Sequence, residues 1–442
     1  MINITDILKT LGITELSEMQ QRAINTFKKE RNAVLLSPTG SGKTLAFLIP
    51  LVEEINTTSD FVQAIILSPS RELAIQTERV LKQMKTDVRS ICLYGGRPTM
   101  DEHRTLKSLM PHIVIATPGR LNDHLTKENL QAYGVCTLVI DEFDKCLEYG
   151  FQNEMSDVIH KLPGLQKRIL ISATDSDDIP TFVGTDSKNI VKLNYLTQEN
   201  DVPAGISHYV VHAPDVDKLE TLVLLLCTLK GLSTVVFVNY RESVERIGLE
   251  LKKKGFFCEL FHGGMEQEDR ERALGKFRNG SSNVLVSTDL SARGLDIPEL
   301  ENVVHYHLPQ NGDGYIHRSG RTGRWEASGK SFLIVNSKET VPEYENIEFQ
   351  EFETDTILTP PVPPEWITLY IGRGKKEKLS KMDILGFLCK KGKANSKDIG
   401  SIDIKDHHSY AAVKRQKINQ ILINVKGEKI KGLKTIVEQM KK

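Results

Sequence analysis

A chain of 442 residues is too long for a single hydrophobic core, and at about 150 residues per domain it suggests roughly three. Apolar residues at 39% and charged residues at 26%, with no biased repeat, are those of ordinary globular protein, which excludes collagen-like and low-complexity chains. The formal net charge of zero argues against nucleic acid only on average: Trp366 to Lys442 carries 19 Lys/Arg against 7 Asp/Glu, a module of +12 on a body of −12.

No run of 18 uninterrupted apolar residues is present, and the start, MINITDILKT, lacks the basic-then-apolar layout of a signal peptide. A cytoplasmic protein without a membrane partner is therefore expected. The six cysteines (Cys92, Cys136, Cys146, Cys227, Cys258, Cys389) form no C-x-x-C pair and read as reduced, mostly buried thiols.

In chain order, the runs NAVLLS, QAIILSP, HIVIATP, TLVIDE and RILISAT alternate with helical-period segments between residues 30 and 195, and each ends at a polar loop. That pattern predicts a parallel sheet with functional groups at the strand C-termini. TQENDVPAGI (197–206) reads as a linker. A second alternation follows in STVVFVNY, FCELFHGG, NVLVSTD, NVVHYHLP and KSFLIVNS, predicting a second α/β domain. An acidic and then Pro-rich stretch, VPEYENIEFQEFETDTILTPPVPPE, reads as an extended connector before the basic module. The expected domains are 1–198, 205–338 and 365–442, with 339–364 as connector.

SPTGSGKT (37–44) lies where strand NAVLL meets helix TLAFLIPLVEEI, so backbone N–H groups of Thr39, Gly40, Ser41 and Gly42 would converge on an anion at a helix N-terminus. Lys43 would reach the β- and γ-phosphates of ATP and the Thr44 hydroxyl would bind Mg2+. Ser37 stands where the general pattern has Gly. In TLVIDEFD (137–144), Asp141 would hold Mg2+ through water, and Glu142 would orient or deprotonate the attacking water. Alone, such an acidic tetrad is more often a solvated turn. HRSGRTGR (317–324) places Arg321 and Arg324 three apart, a pair able to stabilise a transferring phosphoryl group as arginine fingers when two domains close.

Read in order, SPTGSGKT, PSRELAIQ (69–76), GG (95–96), TPGR (117–120), DEFD, SAT (172–174), VVFVNY (235–240), HGG with Gln267 and Arg270, STDLSARGLD (287–296) and HRSGRTGR resemble the DEAD-box RNA helicases over roughly residues 10–335. The resemblance implies an α/β fold of two tandem RecA-like parallel-sheet domains followed by a small α+β RRM-like domain. It implies ATP and Mg2+ as cofactors, with Gln20 reading adenine and Asp296 the ribose. It assigns Asp144, Ser172, Thr174 and His317 to coupling hydrolysis with closure. Pro69, Arg71, Gly96, Thr117 and Arg120, with Thr288 and Gly294, would line the RNA backbone path. Three positions depart from the family: Leu16 replaces a proline in the adenine motif GITELSEMQ (12–20), Asn3 stands where an adenine-stacking aromatic is expected, and Phe143 replaces the family's alanine.

The basic module, through GRGKK, DILGFL, DIGSIDI and KIKG, resembles the C-terminal RNA-binding domain of DbpA-type ribosomal-RNA helicases. The resemblance implies a β-α-β-β-α-β fold and a structured ribosomal RNA partner. Arg373, Lys375, Lys376 and Lys378 in one loop, and Lys414, Arg415 and Lys417 near a strand end, are expected to contact phosphates, with Tyr410 alone available for stacking. The leading expectation is a monomeric RNA-dependent ATPase that unwinds short duplexes on ribosome precursors during large-subunit assembly. The alternatives are an ATP-gated RNA clamp with little turnover and a DNA helicase of related architecture.

Overall fold

The computed structural model describes residues 4–38, 40–96, 98–174, 183, 190–196, 205–289, 300–309, 311–322, 329–344, 347–355 and 359–440. The chain divides into two compact units, one built on Met1–Val202 and the other on Pro203–Ala292 and Ile297–Lys442.

In the first unit, seven strands form one sheet: β1 (Asn32–Leu36), β2 (Ala64–Leu67), β3 (Ser90–Leu93), β4 (Ile113–Ala116), β5 (Thr137–Ile140), β6 (Lys167–Ser172) and β7 (Val191–Asn194), in the order β3-β4-β2-β5-β6-β1-β7. All pairings are parallel. β2 to β5 are buried throughout, which is why they read as unbroken apolar runs rather than alternating ones: helices cover both faces. One face packs Phe27, Phe47, Ile49 and Ile66, the other Leu36, Leu67, Ile140 and Phe143. The five strands expected from sequence are present, and β3 and β7 are additional.

The second unit contains another parallel sheet: β8 (Ile206–Ala213), β9 (Thr234–Val238), β10 (Cys258–Phe261), β11 (Val284–Thr288), β12 (Asn302–His305), β13 (Gly329–Asn336) and β14 (Gln350–Glu351), ordered β10-β11-β9-β12-β13-β8-β14. β8 begins at the last residue of the segment read as a linker, and ISHYVVHA carries His208 and Tyr209 among its apolar residues, which blurred its period. The connector is extended, as its composition implies, yet fastened to this domain: β14 pairs with β8, and Val341, Tyr344, Ile347 and Phe349 pack on Val210, Tyr315, Leu333 and Val335.

The C-terminal module is a four-stranded antiparallel sheet of β15 (Trp366–Ile371), β16 (Ile399–Ile404), β17 (Ser409–Lys414) and, after the small hairpin β18–β19 (Lys429–Ile430, Leu433–Lys434), β20 (Val437–Gln439), in the order β16-β17-β15-β20. Helices Lys381–Lys390 and Ile418–Val425 cover its inner face, where Ile367, Leu369, Ile371, Ala411 and Val413 meet Ile384, Leu388, Ile421 and Val425. This is the β-α-β-β-α-β order implied by the resemblance. Among the described residues no helix is long and apolar enough to cross a membrane.

Phe143, where the family has alanine, is 2% exposed and fills the layer beneath the end of β5. Phe143→Ala is expected to destabilise the first unit by about 3–5 kcal/mol, the usual cost of deleting a buried ring, while ATP hydrolysis survives below the lowered melting temperature. Denaturant unfolding with parallel phosphate release checks both halves.

Candidate functional site

β6 lies between β1 and β5 in the first sheet, and their registers set Leu36 opposite Ser172 and Ile140 opposite Leu170. Three strand ends therefore deliver the phosphate loop, the carboxylates and the SAT turn to one edge, the position at which open α/β sheets place ligands.

The loop 37–42 enters helix Lys43–Glu54 with Gly40 and Gly42 at φ of 84° and 86°. At Gly42 the left-handed backbone strains any side chain, and a Cβ there would lie 2.4 Å from Gln20 Nε2 and displace that amide. Gln20 holds the loop from behind, its Nε2 donating to the Gly42 carbonyl at 3.1 Å while its Oε1 accepts from the Ser17 amide at 2.9 Å. The Gln20 side chain thus closes a capping box on helix Glu18–Lys29 and fastens that helix to the loop. Lys43, 9% exposed, donates to the Ser37 carbonyl at 2.6 Å, and Ser37 Oγ lies 2.8 Å from Ser41 Oγ. The hydroxyl at the departure from the general pattern is part of the loop's internal bonding.

Asp141 is 4% exposed. Burial pushes its carboxyl up to about 7, the neighbouring Glu142 adds to the rise, and Lys43 opposes it. Glu142 stands at φ 47°, left-handed backbone that a non-glycine residue rarely adopts, and its amide donates to Asp141 Oδ1 at 3.0 Å. The turn aims two carboxylates apart from one strand end. Asp144, 7% exposed, accepts from Thr174 Oγ1 at 3.0 Å, and Ser172 Oγ donates to the Thr174 carbonyl at 2.6 Å, so the three residues expected to couple hydrolysis with closure form one chain of bonds. Asp144 Oδ1 is buried without a hydrogen-bond partner. The donor set of Thr44 hydroxyl and Asp141 carboxylate beside a cationic phosphate loop is the hard-oxygen chemistry that suits Mg2+ with a polyphosphate.

Pro69, Gly96 and Thr117 lie beyond the ends of β2, β3 and β4, on the same edge. The Arg71 guanidinium lies over Gly95, within 3.3 Å of where a Cβ would stand. Arg120, expected on the RNA backbone path, is also tied within the domain: 12% of its side chain is exposed, and Nε donates to Glu102 Oε2 at 2.7 Å, an oxygen that also lies 2.9 Å from His124 Nε2. Glu102 and His124 are buried partners that the sequence reading missed, 18 residues before and four after the arginine.

In the second unit, Thr288 ends β11, 8% exposed, and helix Gly312–Ser319 carries His317, 8% exposed. Arg321 is 7% exposed and donates from Nε to the His317 carbonyl at 3.2 Å. Arg318, not singled out in the sequence, organises the strand ends: it pairs with both Asp289 oxygens at 2.5 and 2.6 Å, and donates to Asn239 Oδ1 and the His307 carbonyl at 2.8 Å each. Thr39, Gly294, Asp296 and Arg324 lie outside the described residues.

On the C-terminal module, Arg373, Lys375, Lys376 and Lys378 occupy the loop after β15. Gly374 inside it is obligatory, since a Cβ would lie 2.2 Å from the Lys405 carbonyl. Lys431 reaches the Lys378 carbonyl at 2.8 Å and Arg373 the Lys434 carbonyl at 3.3 Å, so three loops build one basic end. Lys414 and Arg415 sit elsewhere. Lys414 pairs with Glu365 and stands 5.3 Å from the Trp366 ring, while Arg415 stacks on Phe257 of the second helicase-type domain at 4.7 Å. The outer sheet face carries Tyr370 and His408 beside Tyr410, with ring centroids 4.9–6.1 Å apart. Part of that face is covered by the same domain: Thr368 is 3% exposed, accepts from Asn279 Nδ2 at 2.8 Å and donates to Ser281 Oγ at 2.8 Å.

The Asp141 shift carries a sign. With its folded pKa above the ordinary value of about 3.9, this group favours folding fully below about pH 4 and loses that contribution as pH rises toward 7. Asp141→Asn is therefore expected to raise the melting temperature of the nucleotide-free, chelator-treated protein by about 5 °C more at pH 8 than at pH 5. An equal gain at both pH values contradicts it.

The comparisons with known proteins follow the same three parts. Family models match residues 17–181 (DEAD/DEAH box helicase), 217–326 (helicase conserved C-terminal domain) and 368–439 (DbpA RNA binding domain). The chain is 32% identical to the ATP-dependent RNA helicase DbpA of Bacillus subtilis over 98% of this chain and 97% of that protein. It is also 32% identical to the Escherichia coli protein of the same name over 96% and 94%. Among solved structures it is similar to Saccharomyces cerevisiae Dbp5 bound to RNA and ADP BeF3 (29% identity, TM-score 0.67, 75% of this chain and 88% of that one). The helicase Mss116 bound to ssRNA and UDP-BeF matches at 26% identity and TM-score 0.70 over 80% and 78%. With phosphate loop, paired carboxylates and matches along nearly the whole chain in agreement, the protein belongs to the DEAD-box ATP-dependent RNA helicases, enzymes whose ATPase is stimulated by RNA.

Proposed function

We propose that this helicase remodels structured ribosomal RNA during large-subunit assembly, acting as a monomer in the cytoplasm, with 1–198 and 205–338 as its helicase domains and 365–442 as the module that selects the RNA. The observation that supports the substrate is the basic end of that module, built from three loops and set on a body of net negative charge. Phosphate contacts from lysines carry affinity without base readout, which suits a folded RNA surface better than a specific single strand. The free state of all six cysteines accords with a reducing compartment.

In the proposed chemistry, Lys43 and the loop amides bind the β- and γ-phosphates, and Thr44 and Asp141 hold Mg2+, which when bound neutralises charge on the phosphates. Glu142 orients the attacking water from its left-handed turn. Arg321 and Arg324 stabilise the transferring phosphoryl group, and Gln20 and Asp296 fix the nucleoside. The Asp144, Ser172 and Thr174 bonds, with His317, carry the coupling role. Pro69, Arg71, Gly96, Thr117, Thr288 and Gly294 follow the RNA backbone. Arg120, anchored through Glu102, lies on the same path.

Glu142→Gln is expected to reduce RNA-stimulated phosphate release by at least about a hundred-fold while ATP still binds, the usual range for loss of a general base. Equal release by the variant and the parent would reject the assignment. Separately, Lys375→Ala with Lys376→Ala is expected to weaken binding of a folded ribosomal RNA fragment and to lower the slope of log affinity against log salt by about one unit per lost contact. The ATPase stimulated by unstructured RNA stays unchanged. An unaltered salt slope would place the RNA contact elsewhere.

A further inference from the structure

The acidic connector does more than link two domains. Tyr315, in the middle of helix Gly312–Ser319, is fully buried. Its ring is sandwiched between the His305 ring at 4.7 Å and 20° on the sheet side and the Tyr344 ring of the connector at 4.9 Å and 25°, with Phe349 of the connector edge-on at 5.4 Å. The Tyr344 ring also lies against the first turn, 3.6 Å from where a Gly312 Cβ would be.

The phenol is tied at its far end. Its hydroxyl is 2.6 Å from His208 Nδ1 and 3.0 Å from Ser331 Oγ, and Ser331 Oγ is in turn 2.9 Å from Ser319 Oγ at the end of the helix. At about 100° per residue, His317 faces the opposite side of the helix from Tyr315. One side of this helix is thus a packed aromatic wedge and the other carries the His317 and Arg321 segment. Two of the four rings around Tyr315 come from the connector, the others being His208 and His305.

The connector continues in contact with the same domain toward the C-terminal module. Phe352 donates its amide to the Val210 carbonyl at 2.9 Å and packs on Tyr209 and Phe332. The Asp355 amide donates to Thr228 Oγ1 at 2.9 Å, and the Val362 carbonyl accepts from Asn283 Nδ2 at 3.2 Å.

We propose that Tyr344 and Phe349 are positioning residues for ATP hydrolysis: by clamping Tyr315 they fix the helix that aims His317 and Arg321. The proposal rests on the role assigned to Arg321 above. Removing the clamp leaves substrate binding intact, since neither ring touches a substrate-binding residue proposed above. It lets the arginine segment settle in more than one place, and a misplacement of that kind acts on the chemical step.

The test is RNA-stimulated phosphate release by the full-length chain, titrated in ATP and in RNA. Tyr344→Ala is expected to lower kcat about ten-fold with KM for ATP and half-saturating RNA within about two-fold, and Tyr344→Phe to restore the parent rate, because the ring and not the hydroxyl does the clamping. The idea is overturned if Tyr344→Ala and Phe349→Ala both keep kcat within about two-fold, or if the loss appears in KM instead. Should Tyr344→Ala fail to fold, Tyr344→Leu, which keeps apolar bulk and loses the stack, decides by the same criterion. Arg321→Ala run alongside separates the two assignments. A parent-like rate in Arg321→Ala overturns the arginine assignment and this proposal with it. Loss in Arg321→Ala with parent-like rates in both Tyr344→Ala and Phe349→Ala overturns the clamp alone.

Discussion

Two charges held almost out of water govern the first helicase domain. Lys43 and Asp141 are at most 9% exposed, one following β1 and the other β5 with β6 between, and the Lys43 charge opposes the rise in the Asp141 carboxyl. Lys43 donates to the Ser37 carbonyl, and burial pushes the Asp141 carboxyl up to about 7. Such groups weigh against folding unless something charged arrives, and the thing that satisfies both at once is a polyphosphate carrying a cation. The sheet order and the strained Glu142 turn are the scaffold that makes this tolerable: β6 between β1 and β5 fixes the spacing, and a large buried core offsets the cost. The stability of the unliganded domain and its appetite for nucleotide are opposite signs of the same electrostatics.

How legible was this in the sequence? The phosphate loop, DEFD and SAT were readable because each function depends on a few consecutive residues at a strand end, and strand ends are marked by the apolar run that precedes them. Phe143 was readable as a buried ring for the same reason. What sequence could not give were pairings at a distance. Glu102 looks like any helix-surface acid, and only the fold brings it under Arg120 and His124. Gln20 was assigned to adenine from the resemblance, whereas its amide in this structure ties helix to loop, through a contact 22 residues away that no local pattern encodes.

The connector was misjudged in a more instructive way. VPEYENIEFQEF reads as acidic spacer because Glu alternates with the ring-bearing residues, so average polarity is high. Yet apolar residues two or three positions apart, separated by glutamates, can still turn to one side of an extended chain while the other meets water. Tyr344, Ile347, Phe349 and Phe352 pack inward, while Glu343, Glu348 and Glu351 are exposed. Composition described the outside of the segment and hid its inside.

The same distinction between composition and placement applies to the C-terminal module. Its nineteen basic residues suggest a uniformly RNA-binding surface, but the fold sorts them. Lys414 and Arg415 serve contacts within the chain, against Glu365, Trp366 and Phe257, and a cation stacked on a ring in a half-buried seam is held by the protein itself. The outer sheet face, which in an RRM-like fold would offer Tyr370 and Tyr410 to bases, is partly closed by Asn279 and Ser281. Lys375 and Lys376 at the loop end stay exposed, as do Lys381, Lys390, Lys391, Lys393 and Lys397 on the first helix and the segment after it. Thr368 and Arg415 tie the module to the second helicase domain, so the covered part of its sheet face is closed to base stacking by a seam within the protein itself.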